Sequence, residues 1–189
     1  MKIRGNVLKT RIAFVEKHFG QDGWLKVLNS MSAEDQHALK GILSPASWFS
    51  FELGKRLDEA IVQVLGGGNP EVFERIGAQS ARENLEGMHR PFLQPGHPQK
   101  FLEKTGHIYS FYYDTGRRDY QPVGSQEGLL TTYDAETFSE ADCLTIIGWH
   151  KEALKMCGAE WVEMREEECR AKGAPTCRYR IRWRLPGEK

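Results

Sequence analysis

The sequence predicts an α+β fold, with N-terminal helices packed on a small antiparallel sheet and a C-terminal helix and β-hairpin carrying a metal clamp. Three observations predict it. Apolar residues in the first half recur at the helical period, as in Leu53, Leu57, Ile61, Val64 and Leu65. The last third alternates apolar and charged residues, as in Cys177, Tyr179, Ile181 and Trp183 against Arg178, Arg180, Arg182 and Arg184. Between these lie Cys143, then Glu166-x-x-Cys169, then Cys177, enough soft and hard ligands for a tetrahedral metal.

Val7, Ile12, Phe14, Val15 and Phe19 give a first helix over residues 5 to 19, and Trp24, Leu25 and Leu28 a second beyond Gly20 and Gly23. Ser32-Ala33-Glu34-Asp35 opens a third at 33 to 42 as a capping box, and Ser44-Pro45 closes it. The stripe from Leu53 forms a fourth. Gly66-Gly67-Gly68 ends it, and Asn69-Pro70 starts a fifth that runs to Leu85. Residues 86 to 98 read as a Pro-rich loop, followed by a short helix at 99 to 105. Tyr109, Phe111 and Tyr113 alternate as an aromatic strand, and 119 to 123 and 129 to 133 as two more. Ser139 caps a helix from 140 to 157 with Phe138 as its hydrophobic staple. Strands at 160 to 167 and 176 to 184 close the chain. The order suggests one domain over 1 to 189, helical to about 98 and α/β over about 99 to 185, with one shared core.

Twenty-six Lys and Arg balance 26 Asp and Glu, which argues against a general nucleic-acid partner. No apolar run is long enough for a membrane span. No leader is recognisable, so a cytoplasmic protein with reduced thiols is expected.

If the last two strands form a hairpin, Glu166 and Cys177 point into the core from neighbouring strands. A carboxylate there needs a counter-charge or a metal. Cys169 lies in the connecting loop, and Cys143 falls in the first turn of its helix, where the dipole favours thiolate. Four protein ligands leave no open position, so the metal would be structural. Iron suits such a site as zinc does. The alternative is a set of buried free cysteines with Glu166 paired to an arginine.

The stretch Gly148-Trp149, then Val162 through Glu166 and Cys169 to Cys177 and Trp183, resembles the 4-vinyl-reductase domain, most specifically over residues 139 to 184. That domain shares a fold superfamily with haem-NO-binding domains and TRAPP vesicle-transport subunits. Residues 23 to 59, including Trp24, Trp48 and Leu57, are similar to stand-alone, myxobacterial members. The resemblance implies a structural zinc on Cys143, Glu166, Cys169 and Cys177, a pocket between helices and sheet, and homodimerisation through the N-terminal helices. The haem-binding branch carries Tyr-x-Ser-x-Arg, which is missing here, so haem is not expected, although His89, His97, His107 and His150 leave it formally open.

Met88, His89, Phe92, His97, Phe101, His107, Tyr109 and Phe111 supply the apolar surface and polar handles such a pocket needs. The Arg178–Arg184 row reads as a solvated sheet face with Glu163 and neighbours as partners. Gly66-Gly67-Gly68 lacks the Lys-Ser/Thr of a phosphate loop. Cys143 and His150 lie two turns apart, too far for a catalytic pair. The expectation is a cytoplasmic sensor that binds a small hydrophobic or aromatic ligand and signals to a separate output protein; an enzyme acting on a tetrapyrrole-like or aromatic substrate, as the family name suggests, is left open, with no catalytic constellation to favour it. The alternative is a ligand-free dimeric scaffold resembling the transport-complex subunits.

Overall fold

A computed structural model describes residues 1–41, 43–136 and 138–187. The chain opens with a short strand, β1 (Lys2–Arg4), and enters α1 (Gly5–Asn29). The two expected N-terminal helices are one element bent at Gly20, whose φ of 71° only glycine adopts without strain. Helix α2 (Ala33–Lys40) starts where Ser32 accepts the Asp35 N–H at 3.1 Å. β2 (Trp48–Ser50), which residue pattern did not reveal, pairs antiparallel with β1, and Ile3 lies opposite Phe49. Helices α3 (Phe51–Val64) and α4 (Val72–Glu86) follow, separated by the glycine triplet.

Residues 90–92 form a single 3-10 turn before α5 (Pro98–Leu102) and α6 (Thr105–Tyr112). The aromatic strand expected at 109 to 113 is therefore a helix. Its rings satisfy both periods; the helix runs through Tyr112, and Tyr113 turns extended to bridge Ile3 while its ring stacks on Tyr109 at 4.6 Å. Four strands then build one antiparallel sheet in the order β3-β4-β6-β5: β3 (Arg117–Gly124), β4 (Glu127–Tyr133), β5 (Trp161–Glu168) and β6 (Cys177–Arg184). Helix α7 (Glu140–Met156) lies between β4 and β5 in sequence, and Ser139 caps it by accepting the Asp142 N–H at 3.1 Å. The fold is α+β with the expected C-terminal hairpin. The sheet alternates as read: Cys177, Tyr179, Ile181 and Trp183 are buried. On the other face Arg178, Arg180 and Arg182 pair with Glu127, Glu163, Glu167 and Glu168.

Among the described residues the buried apolar side chains form two clusters in place of one shared core. The first gathers β1 and α1–α3 with Phe73 and Ile76 of α4 and Ala141 of α7; the second gathers Ala81 and Leu85 of α4 with α5, α6, the rest of α7 and the sheet. Leu144 packs against both. Helices α4 and α7 cross between them at backbone distance. A Cβ on Gly148 would overlap the Glu74 carbonyl, and one on Gly77 the Thr145 carbonyl. Each glycine admits the partner helix's main chain.

Candidate ligand cavity between the two cores

Where the cores meet, α1, α4, α6, β3 and α7 line a partly open cavity of about 60 Å³. Val7, Ile108, Ile146 and Trp149 supply its apolar wall, and Arg11, Tyr112, Tyr113, Arg118, Asp142 and His150 its polar one. A second void of about 20 Å³ adjoins it and shares Tyr109, Tyr113, Arg118, Asp142 and Ile146.

The polar wall is mostly satisfied from within. Arg11 grips Asp58 of α3 through Nε (2.5 Å) and Nη2 (3.1 Å), and Nη2 reaches Asp142 of α7 at 3.4 Å. The Tyr113 hydroxyl donates to the Asp142 carboxylate at 3.0–3.1 Å. This network ties α1 and α3 to α7. Burial holds the Tyr113 phenol well above its ordinary range, so it stays a donor. His150 is fully buried, and burial together with the positive charge of Arg118 lowers its pKa to about 3. The imidazole is therefore neutral. Its Nδ1 lies 2.8 Å from the Ile146 carbonyl, which assigns the proton to Nδ1 and leaves the Nε2 lone pair free of a proton.

Arg118 is different. It is 7 % exposed, its Nε donates to Thr132 Oγ1 at 3.1 Å, and its guanidinium lies 4.9 Å from the Tyr109 ring centre. Its Nη2 is buried with no hydrogen-bond partner, and no carboxylate among the described residues forms an ion pair with it. The Tyr112 hydroxyl is likewise buried and unpartnered.

Of the eight residues expected to line a pocket, only Tyr109 borders this cavity. His89, Phe92, His107 and Phe111 pack on one another, with ring centres 5.0–6.1 Å apart. Met88 is exposed, Phe101 is core packing that stacks on Trp149, and His97 borders a surface groove beside Pro98 and Trp183. The physical reason is the helical form of α6, which turns its Ile108 and Tyr112 side toward α7 and leaves His107 and Phe111 to the loop. Sequence reading missed Arg118, Tyr112, Arg11 and Asp142. Nothing in the sequence sets buried Arg118 apart from its exposed neighbour Arg117.

Three of the four expected metal ligands, Cys143, Glu166 and Cys169, lie together, and Cys177 adjoins them through Cys143. Cys143 Sγ lies 3.9 Å from Cys169 Sγ and 3.8 Å from Cys177 Sγ, and the ligand atoms of Cys143, Glu166 and Cys169 fall within 4.8 Å of one another. The charge order is not the one the helix dipole suggested. Cys143 donates to Cys177, which raises the Cys143 thiol and brings Cys177 down to about 7, helped by the Arg170 N–H at 3.4 Å. Glu166 pairs with Lys172 at 3.6 Å, while its other oxygen is buried without a partner.

No family model matches this chain, and no curated protein matches it. Solved structures do. One described as probing haem distortion in the H-NOX family superposes with a TM-score of 0.73 at 15 % identity, covering 98 % of this chain and 97 % of that one. An oxygen-binding H-NOX domain related to soluble guanylate cyclases, in its oxygen complex, gives 0.68 at 15 % identity with the same coverage. An Fe(II) unliganded H-NOX protein variant from K. algicida gives 0.73 at 9 % identity, covering 97 % and 98 %. At these identities the likeness establishes the fold. It also corrects three expectations. The solved neighbours are H-NOX domains, so the 4-vinyl-reductase assignment is overturned. Two of the solved neighbours are described with haem, so the expectation of structural zinc in place of haem is overturned too. The ligand-free scaffold reading finds no support among them.

Two side chains here have the chemistry an iron porphyrin uses, the neutral imidazole of His150 and the buried guanidinium of Arg118. The donors fit; the volume is small. Sites that enclose drug-sized molecules run to roughly 300–1,000 Å³. The cavity of about 60 Å³ falls well short of that range.

Proposed function

We propose that this chain is a small-molecule-sensing domain of H-NOX fold that holds its ligand between the two cores and passes the change to a separate output protein. The observation that carries the reading is the cavity, whose wall draws side chains from both cores and includes a buried cation with an unpartnered nitrogen. A ligand that binds one arrangement of the two cores better than another shifts their balance. The N-terminal helices, linked to the cavity through Arg11, Asp58 and Asp142, would carry the signal and the homodimer contact. The cluster of Cys143, Glu166, Cys169 and Cys177 we assign to joining α7 to the β5–β6 hairpin beneath the smaller void. Among the described residues no helix is long and apolar enough to cross a membrane.

Haemin is the first ligand to test, because the solved neighbours are described with haem. A strong haem absorption band that moves on adding NO or O2, and is lost in His150→Ala, would identify gas sensing. Stabilisation by a small ligand without such a band would keep the sensing role and change the ligand. If neither haemin nor any small ligand binds, the sensing reading fails.

A further inference from the structure

We infer that the cavity takes a short-chain carboxylate, anchored by Arg118, an assignment that rests on the sensing reading above. The starting point is charge. The wall of the larger cavity carries two guanidiniums, Arg11 and Arg118, against one carboxylate, Asp142. Asp142 is already committed to Arg11 and to the Tyr113 hydroxyl, and Arg11 is further held by Asp58. That leaves Arg118, more than nine-tenths buried, with Nη2 unpartnered, a threonine hydroxyl and the Tyr109 ring face against it, and the neutral His150 nearby. A cation removed from water without a counter-charge is a site short of an anion. The Tyr112 hydroxyl, also buried and unpartnered in the same wall, is a second donor with no acceptor. Burial raises its pKa, so it keeps its proton and can donate.

Size and polarity define the rest. At roughly 10–15 Å³ of such volume per water-sized atom, a cavity of about 60 Å³ holds four to six non-hydrogen atoms. Acetate and propionate are of that size, and benzoate is not. The remaining wall is apolar, with Val7, Ile108, Ile146 and Trp149, which suits a carboxylate with a short alkyl end better than a fully hydrated inorganic anion. A guanidinium fork matches the two carboxylate oxygens, and burial strengthens the pairing.

Calorimetric titration of the full chain with propionate tests this, with sodium chloride and benzoate as comparisons. Propionate should bind one site per chain and raise the melting temperature, chloride should do neither, and benzoate should bind more weakly. Arg118→Met should weaken propionate at least about tenfold, the loss of one charge-assisted contact. Because that variant removes a buried side chain and can fail to fold, Tyr112→Phe is measured beside it and should weaken binding several-fold while the fold is kept. Equal affinity in wild type and Tyr112→Phe, or equal stabilisation by chloride, would overturn the carboxylate assignment. If propionate fails and haemin binds, only this inference falls; if both fail, the sensing reading falls with it.

Discussion

At the scale of single residues, the wall between the two cores is built from groups whose charge state is fixed by burial. His150 has its ordinary pKa of 6.5 lowered to about 3, so the folded protein binds fewer protons than the unfolded chain between those values. Stability from this group is complete above pH 6.5 and is lost as the pH falls toward 3. Urea unfolding at pH 7 and pH 4 should show wild type losing up to about 3 kcal/mol more than His150→Gln over that interval. An identical loss in both proteins would mean that His150 is not held neutral by the fold. The same residue shows what single positions disclose in a sequence. His150 was visible as part of an amphipathic stripe, whereas its role depends on Arg118 lying close by in space from a strand 32 positions earlier.

At the scale of elements, the contact between α4 and α7 is set by what is absent. Alanine in a helix interior normally stabilises it by up to about 1 kcal/mol relative to glycine. At Gly148 the sign should reverse, because the added methyl meets the Glu74 carbonyl, a main-chain atom that cannot rotate away. Gly148→Ala should cost on the order of 1–3 kcal/mol in denaturant unfolding. A stabilised Gly148→Ala would show that the helices are not in backbone contact. Most elements were legible because their signals are local. Ser32 and Ser139 each cap the helix expected of them, and the arginine row of β6 meets the glutamates expected of it. Where the signal was not local, reading failed. β1 and β2 have three residues each and exist through pairing with one another. The aromatic run of α6 fits two periods, and only its last ring, Tyr113, is extended, where it bridges Ile3 far away in sequence. The spacing of Cys143, Glu166, Cys169 and Cys177 suggested side chains that meet, and the structure groups the first three. The cofactor was not legible in that spacing, because spacing records which atoms meet and not what occupies the fold.

At the scale of the whole molecule, two hydrophobic cores share one chain, and the Arg11–Asp58–Asp142–Tyr113 network crosses between them. A signal that changes the cavity therefore has a defined route to the N-terminal helices. The glycine contact also gives that movement a geometry. Since α4 and α7 touch main chain to main chain at Gly77 and Gly148, neither can draw closer, and their separation acts as a fixed axle. Any widening that keeps this contact falls to the other sides of the cavity, with α1 and α6 moving about the axle like the two leaves of a hinge. Spin labels at Arg82 of α4 and Lys155 of α7, both on exposed faces, should keep one distance on adding ligand. A pair at Lys17 of α1 and Ser110 of α6 should lengthen or broaden. Motion in the first pair and none in the second would place the axle elsewhere.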